Sequence, residues 1–431
     1  MSGKIVINTI GTLGDLHPLM AVGHELKSLG FEPVFAISND YIEKIRKSGF
    51  EAHGIVDGHF KLASDLGFSE EELMRRLMKN QKEMMDKFVL APLSETTKNL
   101  KPIMQDAIAV IGSPLSYAGQ IMADKYQLPF IMTVLQPGLI STCYDPMISP
   151  DFPVFIAPAK NPFSKAWNKG WMSVLKFAGR RLFSKSINDV RAEFGVSKKL
   201  GLPIFEESDA VAFLGLYSDI LGELKPDMYS NTHITGFPVY DSQSGAPEKL
   251  DPSLESFLND GSPPLVFGLG SLAFHTAGNF YSESIVLSKK LKKRAVLLIG
   301  NNQNHGLNVD KDVYIADYAP HSELFPRAAA IIHHGGIGST DRALMHGKLQ
   351  LITPFNGDQF DNARRVRQLG IGETLPIKKF TAVKAEALLR NLLENEDAQY
   401  KASEIHKKLK NENGAKNAAN IIVECLKENC A

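Results

Sequence analysis

Two imidazoles, three glycines and a hydroxyl stand together in His333-His334-Gly335-Gly336-Ile337-Gly338-Ser339, and a carboxylate and an amide follow at Asp358-Gln359. Glycines without a Cβ let backbone approach an anion, the first N–H groups of a helix point at it, and imidazole and hydroxyl groups add donors. His334, Gly336, Gly338 and Ser339 are therefore candidate phosphate contacts. Asp358 and Gln359 offer the acceptors and donors that suit adjacent sugar hydroxyls. Taken singly, each piece has an ordinary explanation: a histidine before a glycine turn is more often a packing residue, and Asp-Gln a polar loop. Their order, phosphate and then sugar, is what points to a nucleotide-sugar site.

A second group lies near the N-terminus, where Lys4–Ile10 reads as a strand and Gly11-Thr12-Leu13-Gly14-Asp15-Leu16-His17-Pro18 as a turn opening a helix. A dinucleotide loop would read G-x-G-x-x-G, and only Gly11 and Gly14 are present, which argues against a nicotinamide or flavin enzyme. Asp15 and His17 are both candidates for a general base that takes a proton from an acceptor hydroxyl. His17 has the ordinary pKa better matched to neutral pH, whereas Asp15 needs no partner to fix a tautomer and could instead be a helix cap.

In order and spacing these residues resemble the inverting glycosyltransferases of GT-B fold, the UDP-glycosyltransferase family, whose plant members carry W-x-P-Q, then HCGWNS, then DQ. Here Tyr318-Ala319-Pro320-His321, His334-Gly335-Gly336-Ile337-Gly338-Ser339 and Asp358-Gln359 stand in those places, within a span of 42 residues. The resemblance implies that Tyr318 stacks on the base, Ala319 offers its backbone to the base edge, His334 and Ser339 bind the diphosphate, and Asp358 and Gln359 hold the sugar. Bacterial members acting on sterols, antibiotic aglycones and rhamnolipids have a turn of the form G-S-x-G-D-x-x-P, with the aspartate in the place of the plant catalytic histidine; Asp15 matches it, and Gly14 precedes it. Three positions depart from the plant pattern. Arg342 replaces a ribose-binding glutamate, Ile337 replaces a tryptophan, and Ser113 stands where an aspartate would orient the histidine.

Parallel α/β units are expected to position these residues. Strand-like runs at Lys4–Ile10, Pro33–Ile37, Ala107–Ile111 and Pro129–Val134 alternate with helical stretches, and the pattern restarts at Pro264–Ser271, Ala295–Ile299 and Val313–Ala316. The chain thus divides into an acceptor-binding domain over 1–238, a polar linker over 239–252, a donor-binding domain over 253–405, and a last helix over 406–431 that the resemblance returns to the first domain. The fold class is α/β, GT-B, with two Rossmann-like domains whose parallel sheets face each other across a cleft. Gly270-Ser271 ends a strand that faces the donor phosphates in the family, so Ser271 joins the donor candidates, although such a pair is often only a turn.

Acceptor contacts are expected from Ser113, from the loop that starts at Gln136, and from Trp167 and Trp171. The two tryptophans lie in 161–185, which carries six basic residues and no acid. Phe163, Trp167, Trp171, Val174, Ala178 and Leu182 recur there at helical spacing. Such a stripe either meets a membrane or lipid acceptor, or packs on the first domain beneath a solvated basic face.

Lys+Arg and Asp+Glu both number 48, so a net charge of zero offers no general attraction for nucleic acid. Cys143, Cys425 and Cys430 have no metal-ligand spacing, and no run reaches the ~18 apolar residues of a membrane span. A cytoplasmic enzyme without metal or cofactor is expected, taking a UDP- or TDP-sugar as co-substrate. The expected reaction moves a hexose, with UDP-glucose as first donor and TDP-rhamnose as alternative, to a flavonoid, phenol, sterol or hydroxy fatty acid. A nucleotide-sugar epimerase or a non-catalytic nucleotide-sugar-binding partner is the contrasting reading.

Overall fold

The computed structural model describes the chain except residues 1, 59–60, 62–63, 66, 69–80, 151, 200–208, 243, 246–247, 271–276, 301–305 and 430–431. Apolar, largely β-branched runs form two all-parallel sheets, as expected of strands covered on both faces. The first holds seven strands in the order β3-β2-β1-β4-β5-β6-β7: β1 (Lys4–Asn8), β2 (Glu32–Ser38), β3 (Glu51–Val56), β4 (Ala107–Gly112), β5 (Phe130–Val134), β6 (Ala212–Gly215) and β7 (Thr232–Ile234). The second holds six in the order β10-β9-β8-β11-β12-β13: β8 (Leu265–Gly268), β9 (Ala295–Leu298), β10 (Val313–Ala316), β11 (Ala330–His333), β12 (Leu349–Ile352) and β13 (Gly372–Thr374). The strand order reverses between β1 and β4 in the first sheet, and between β8 and β11 in the second. Crevices open at the carboxyl ends of strands at such reversals.

Six helices place the site. They are α1 (Leu13–Ser28), α2 (Pro162–Glu193), α3 (Ile337–Met345), α4 (Asp358–Gln368), α5 (Glu396–Leu409) and α6 (Gly414–Asn429). One buried cluster on the first sheet joins Leu16, Leu19 and Leu26 of α1 to Ala418, Ala419, Ile422 and Leu426 of α6, so the last helix packs on the first domain. The crossover follows Leu409, a little after the expected 406. Gly414 sits directly on the carbonyl of Gly236, leaving no room for a Cβ, and the Phe237 N–H donates to Glu412 Oε2 at 3.3 Å. The main core of the second domain takes in Val134, Ile140, Tyr217 and Leu221 from the first, so the two domains share apolar packing. No helix among the described residues is long and apolar enough to cross a membrane.

Candidate active site

β11 delivers the glycine turn at the reversal point of the second sheet. Gly335 has φ +91°, and a Cβ there would lie 2.7 Å from Ile352 Cγ2, so only glycine fits between strand and helix. The His333 ring is a buried structural member. Its Nδ1 accepts from the Gly335 N–H at 3.2 Å, which leaves Nε2 to donate to Gln350 Oε1 at 2.9 Å. The ring of His334 instead lies against Gly270 and Gly336, where a Cβ at Gly270 would come within 2.6 Å of its Cε1. Its Nδ1 is buried and meets no protein partner. Burial first, then the neighbouring His333 and His321, hold His334 down to about 3, so it serves as a neutral hydrogen-bonding group. The helix α3 starts after Gly336 with no side-chain cap, and a Cβ at the exposed Gly338 would meet nothing within 4 Å. Ser339 lies in that first turn. Uncapped N–H groups beneath open space at a helix N-terminus suit a phosphate.

β12 leads to Gly357, whose φ of +54° starts α4 at Asp358. The Gln359 Oε1 accepts from the Phe355 N–H at 2.8 Å, which fixes its amide. Asn362 Nδ2 donates to the Gly335 carbonyl at 3.0 Å and ties the two donor turns together. Burial pushes Asp358 up to about 6; the charges of Asp15 and Asp361 add to this, while hydrogen bonds from its own backbone and from Gln136 oppose it. Asp358 of one domain is thus hydrogen-bonded by Gln136 of the other and lies within range of the charge of Asp15.

Asp15 reaches that position because the first turn of α1 closes on itself. The Thr12 N–H donates to Asp15 Oδ2 at 2.8 Å, and Thr12 Oγ1 accepts from the Gly14 N–H at 3.3 Å, forming a capping box. The carboxylate folds over Gly11, where a Cβ would overlap it. Asp15 is thus a helix cap and a cleft group at once. His17 turns toward the linker, its ring 5.3 Å from that of Tyr240 and its Nε2 buried without a protein partner. Burial, then Lys44, hold His17 down to about 3, with Asp241, Arg342 and His321 also nearby.

Tyr318 donates to Asp241 Oδ1 at 3.3 Å, and the same linker carboxylate accepts the N–H groups of His321 and Ser322 at 3.3 and 2.6 Å. Ala319 is buried in the core behind it. Arg342, also buried, donates to the Tyr240 carbonyl at 2.8 Å, so the position expected to meet ribose hydroxyls carries a donor already tied to the linker. Ser271 lies outside the described residues.

A lock between the domains left no complete signal in the sequence. Arg365 donates to Asp361 Oδ2 at 2.7 Å, to Asp145 Oδ2 at 2.6 Å and to the Leu221 carbonyl at 2.8 Å. The Ile148 N–H donates to Asp361 Oδ1 at 3.2 Å. The helix that begins with Asp358 is thereby fastened to the loop that begins at Gln136. The i, i+4 pair Asp361/Arg365 was visible in the chain, but its distant partner Asp145 gave no local signal.

On the acceptor side Ser113 donates or accepts with Ser116 Oγ at 3.1 Å, beside the end of β1. Trp167 and Trp171 lie on α2, on either side of Asn168, whose amide donates to the Cys143 carbonyl of the acceptor loop at 3.0 Å. Trp167 donates to the Val154 carbonyl at 2.7 Å and contacts the Phe163 and Trp171 rings.

The chain is similar to known proteins. Residues 5–144 match the Glycosyltransferase family 28 N-terminal domain, and residues 288–428 match the Erythromycin biosynthesis protein CIII-like, C-terminal domain. The sterol 3-beta-glucosyltransferase UGT80A2 of Arabidopsis thaliana is 25% identical over 98% of this chain, which spans 66% of that protein. The sterol 3-beta-glucosyltransferase of Komagataella phaffii is 24% identical over 98% of this chain, which spans 34% of it. The glycosyltransferase VinC in complex with DTDP superposes with a TM-score of 0.71 at 16% identity, covering 99% of this chain and 100% of its own. That likeness is one of fold, two Rossmann-like domains in the GT-B arrangement.

Proposed function

We propose that this chain, which belongs to the UDP-glycosyltransferases of GT-B fold, moves glucose from UDP-glucose to a hydroxyl of a sterol-like or other small apolar acceptor, inverting the anomeric centre. The observation that carries the proposal is the hydrogen bond of Gln136 to Asp358 across the cleft, with Asp15 near enough for its charge to act on Asp358, beside the uncapped start of α3. As the acceptor oxygen bonds to the anomeric carbon, the bond from that carbon to the diphosphate oxygen breaks, and the acceptor proton passes to Asp15. The departing diphosphate is met by the N–H groups of Gly338 and Ser339, by His334 and by the positive end of the helix. No metal or cofactor is needed in this scheme.

Placement supports Asp15 over His17 as the base, because the charge of Asp15 reaches the sugar-end carboxylate whereas His17 packs on Tyr240 and is held neutral by burial. Tyr318 is assigned to the base, Ala319 to its edge, and Gln359 to the sugar, with Ser113 and Gln136 on the acceptor side. The sterol glucosyltransferase relatives support the donor and acceptor class. Peripheral contact with a membrane through residues 161–185 belongs to the same reading of a lipophilic acceptor.

A second donor has one observation in its favour. Arg342 is a pure hydrogen-bond donor tied to Tyr240, which fits a deoxyribose lacking one hydroxyl and keeps TDP-rhamnose in play. The test is nucleoside diphosphate release from UDP-glucose and TDP-rhamnose, each with sterols, phenols and hydroxy fatty acids. Acceptor-dependent release from UDP-glucose is expected. Release from TDP-rhamnose alone would exchange the donor, and release without any acceptor would sink the transferase proposal.

A further inference from the structure

The helix α2 is 32 residues long, about 48 Å, and is opened by the Asn161–Ser164 capping box with Pro162 in its first turn. Its inner side buries Ser164, Asn168 and Gly179. Its outer side does what a soluble helix ordinarily avoids: Phe163, Trp167, Val174, Phe177 and Leu182 are 72, 44, 52, 67 and 55% exposed. At 100° per residue these five fall on one stripe, whereas the other exposed large apolar residues are scattered over the chain.

The charge of the same helix is one-sided. From Asn161 to Asn188 there are Lys165, Lys169, Lys176, Arg180, Arg181 and Lys185 and no acid, in a chain whose total charge is zero. Lys185 meets Asp189 and Lys165 lies over the Tyr144 ring, yet the excess stays positive. An apolar aromatic stripe on a helical segment that carries six cations and no acid of its own is complementary to the headgroup boundary of an anionic bilayer.

We propose that α2 docks this protein on anionic lipid membranes, with Phe163, Trp167, Val174 and Phe177 entering the interface. The dock leads to the cleft. Asn168, on the inner side of α2, donates to the Cys143 and Ile156 carbonyls at 3.0 and 2.8 Å and accepts the Ile156 N–H at 2.9 Å, so it holds the loop that starts at Gln136. An acceptor dissolved in the bilayer would thus enter beside that loop; this step rests on the reading that the acceptor is lipophilic.

Trp167 and Trp171 are the only tryptophans of the chain, so intrinsic fluorescence reports on α2 alone. The full-length protein is mixed with phosphatidylcholine vesicles, and with phosphatidylcholine vesicles containing phosphatidylglycerol. The expected result is a blue shift, and quenching by brominated acyl chains, with the anionic vesicles only, both reversed by salt. Phe163→Ser with Phe177→Ser, with helix content and acceptor-dependent release on a water-soluble phenol checked, should partition at least about tenfold less. Lys165→Glu with Lys176→Glu should abolish the preference for anionic vesicles. No spectral change with anionic vesicles, equal response to both compositions, or wild-type partitioning of the Phe variants would each overturn the proposal. The readout needs neither donor nor acceptor. Vesicle binding without transfer would therefore count against the proposed reaction, and transfer without vesicle binding against the dock.

Discussion

The donor half of the cleft and the acceptor half are built on different principles. On the donor side a strand end, a glycine turn and the first turn of α3 are consecutive in the chain, because backbone N–H groups and the absence of Cβ atoms make the site. On the acceptor side Ser113, Gln136, Asp145 and α2 are brought together only by packing, from segments far apart in the chain. A site made of backbone leaves a contiguous motif, whereas a site made of surfaces leaves scattered residues.

The largest effect should come from the place where the halves are fastened. Arg365→Leu takes the more buried of two cations from Asp361 and Asp145, which keep Arg364, and should lower stability by ~3 kcal/mol, measured by urea unfolding. An unchanged midpoint would break the idea that the acceptor loop is locked to the donor helix. Gly335→Ala forces a Cβ into Ile352 at a positive φ, and should cost ~1–3 kcal/mol while weakening donor binding.

The sign of a pH effect sharpens the picture of the donor side. Asp341 is 8% exposed, its Oδ1 has no protein partner, and burial pushes it up to about 7. The folded state thus holds this proton more tightly than the unfolded chain. Its stabilising effect is full below the ordinary carboxylate value and is lost as pH rises to about 7. Asp341→Asn should therefore flatten the decline of stability across that window, read from unfolding midpoints on either side of it. An equally steep decline would mean that another group carries it. The smallest effect on folding is expected at Gly338. With open space above it, Gly338→Ala should leave the melting temperature unchanged, yet raise the donor KM several-fold as the methyl enters the proposed diphosphate site.

Much of the fold was legible where strands are buried and apolar. Val313–Ala316 was expected at its observed bounds, and Ala107–Ile111 and Pro129–Val134 fell within a residue or so of β4 and β5. The edge strands β3 and β13 were not, because Glu51-Ala52-His53-Gly54 has no sustained apolar alternation and Gly372–Thr374 is too short to show a period. At the site, the glycine turn and Asp358-Gln359 were readable from spacing; a cap at Asp15 was expected only as the alternative to its being the base, and its place as third residue of a box opened by Thr12 came from the structure. The roles of Asp241, Tyr240 and Arg365 were not, since each takes its meaning from a partner in another domain. Either environment was open for α2 from its sequence, because periodicity gives the stripe but not what covers it; the structure leaves Phe163 and Phe177 outside.

Whether Asp15 takes the acceptor proton beside the sugar held by Asp358 is decided by acceptor-dependent kcat in Asp15→Asn. Asparagine can still accept the Thr12 N–H, so the cap of α1 persists while the base is lost. The expected result is a fall of roughly 10²–10⁴-fold in kcat with donor binding and melting temperature unchanged. A kcat within a few-fold of the wild type would contradict it and move the base away from Asp15.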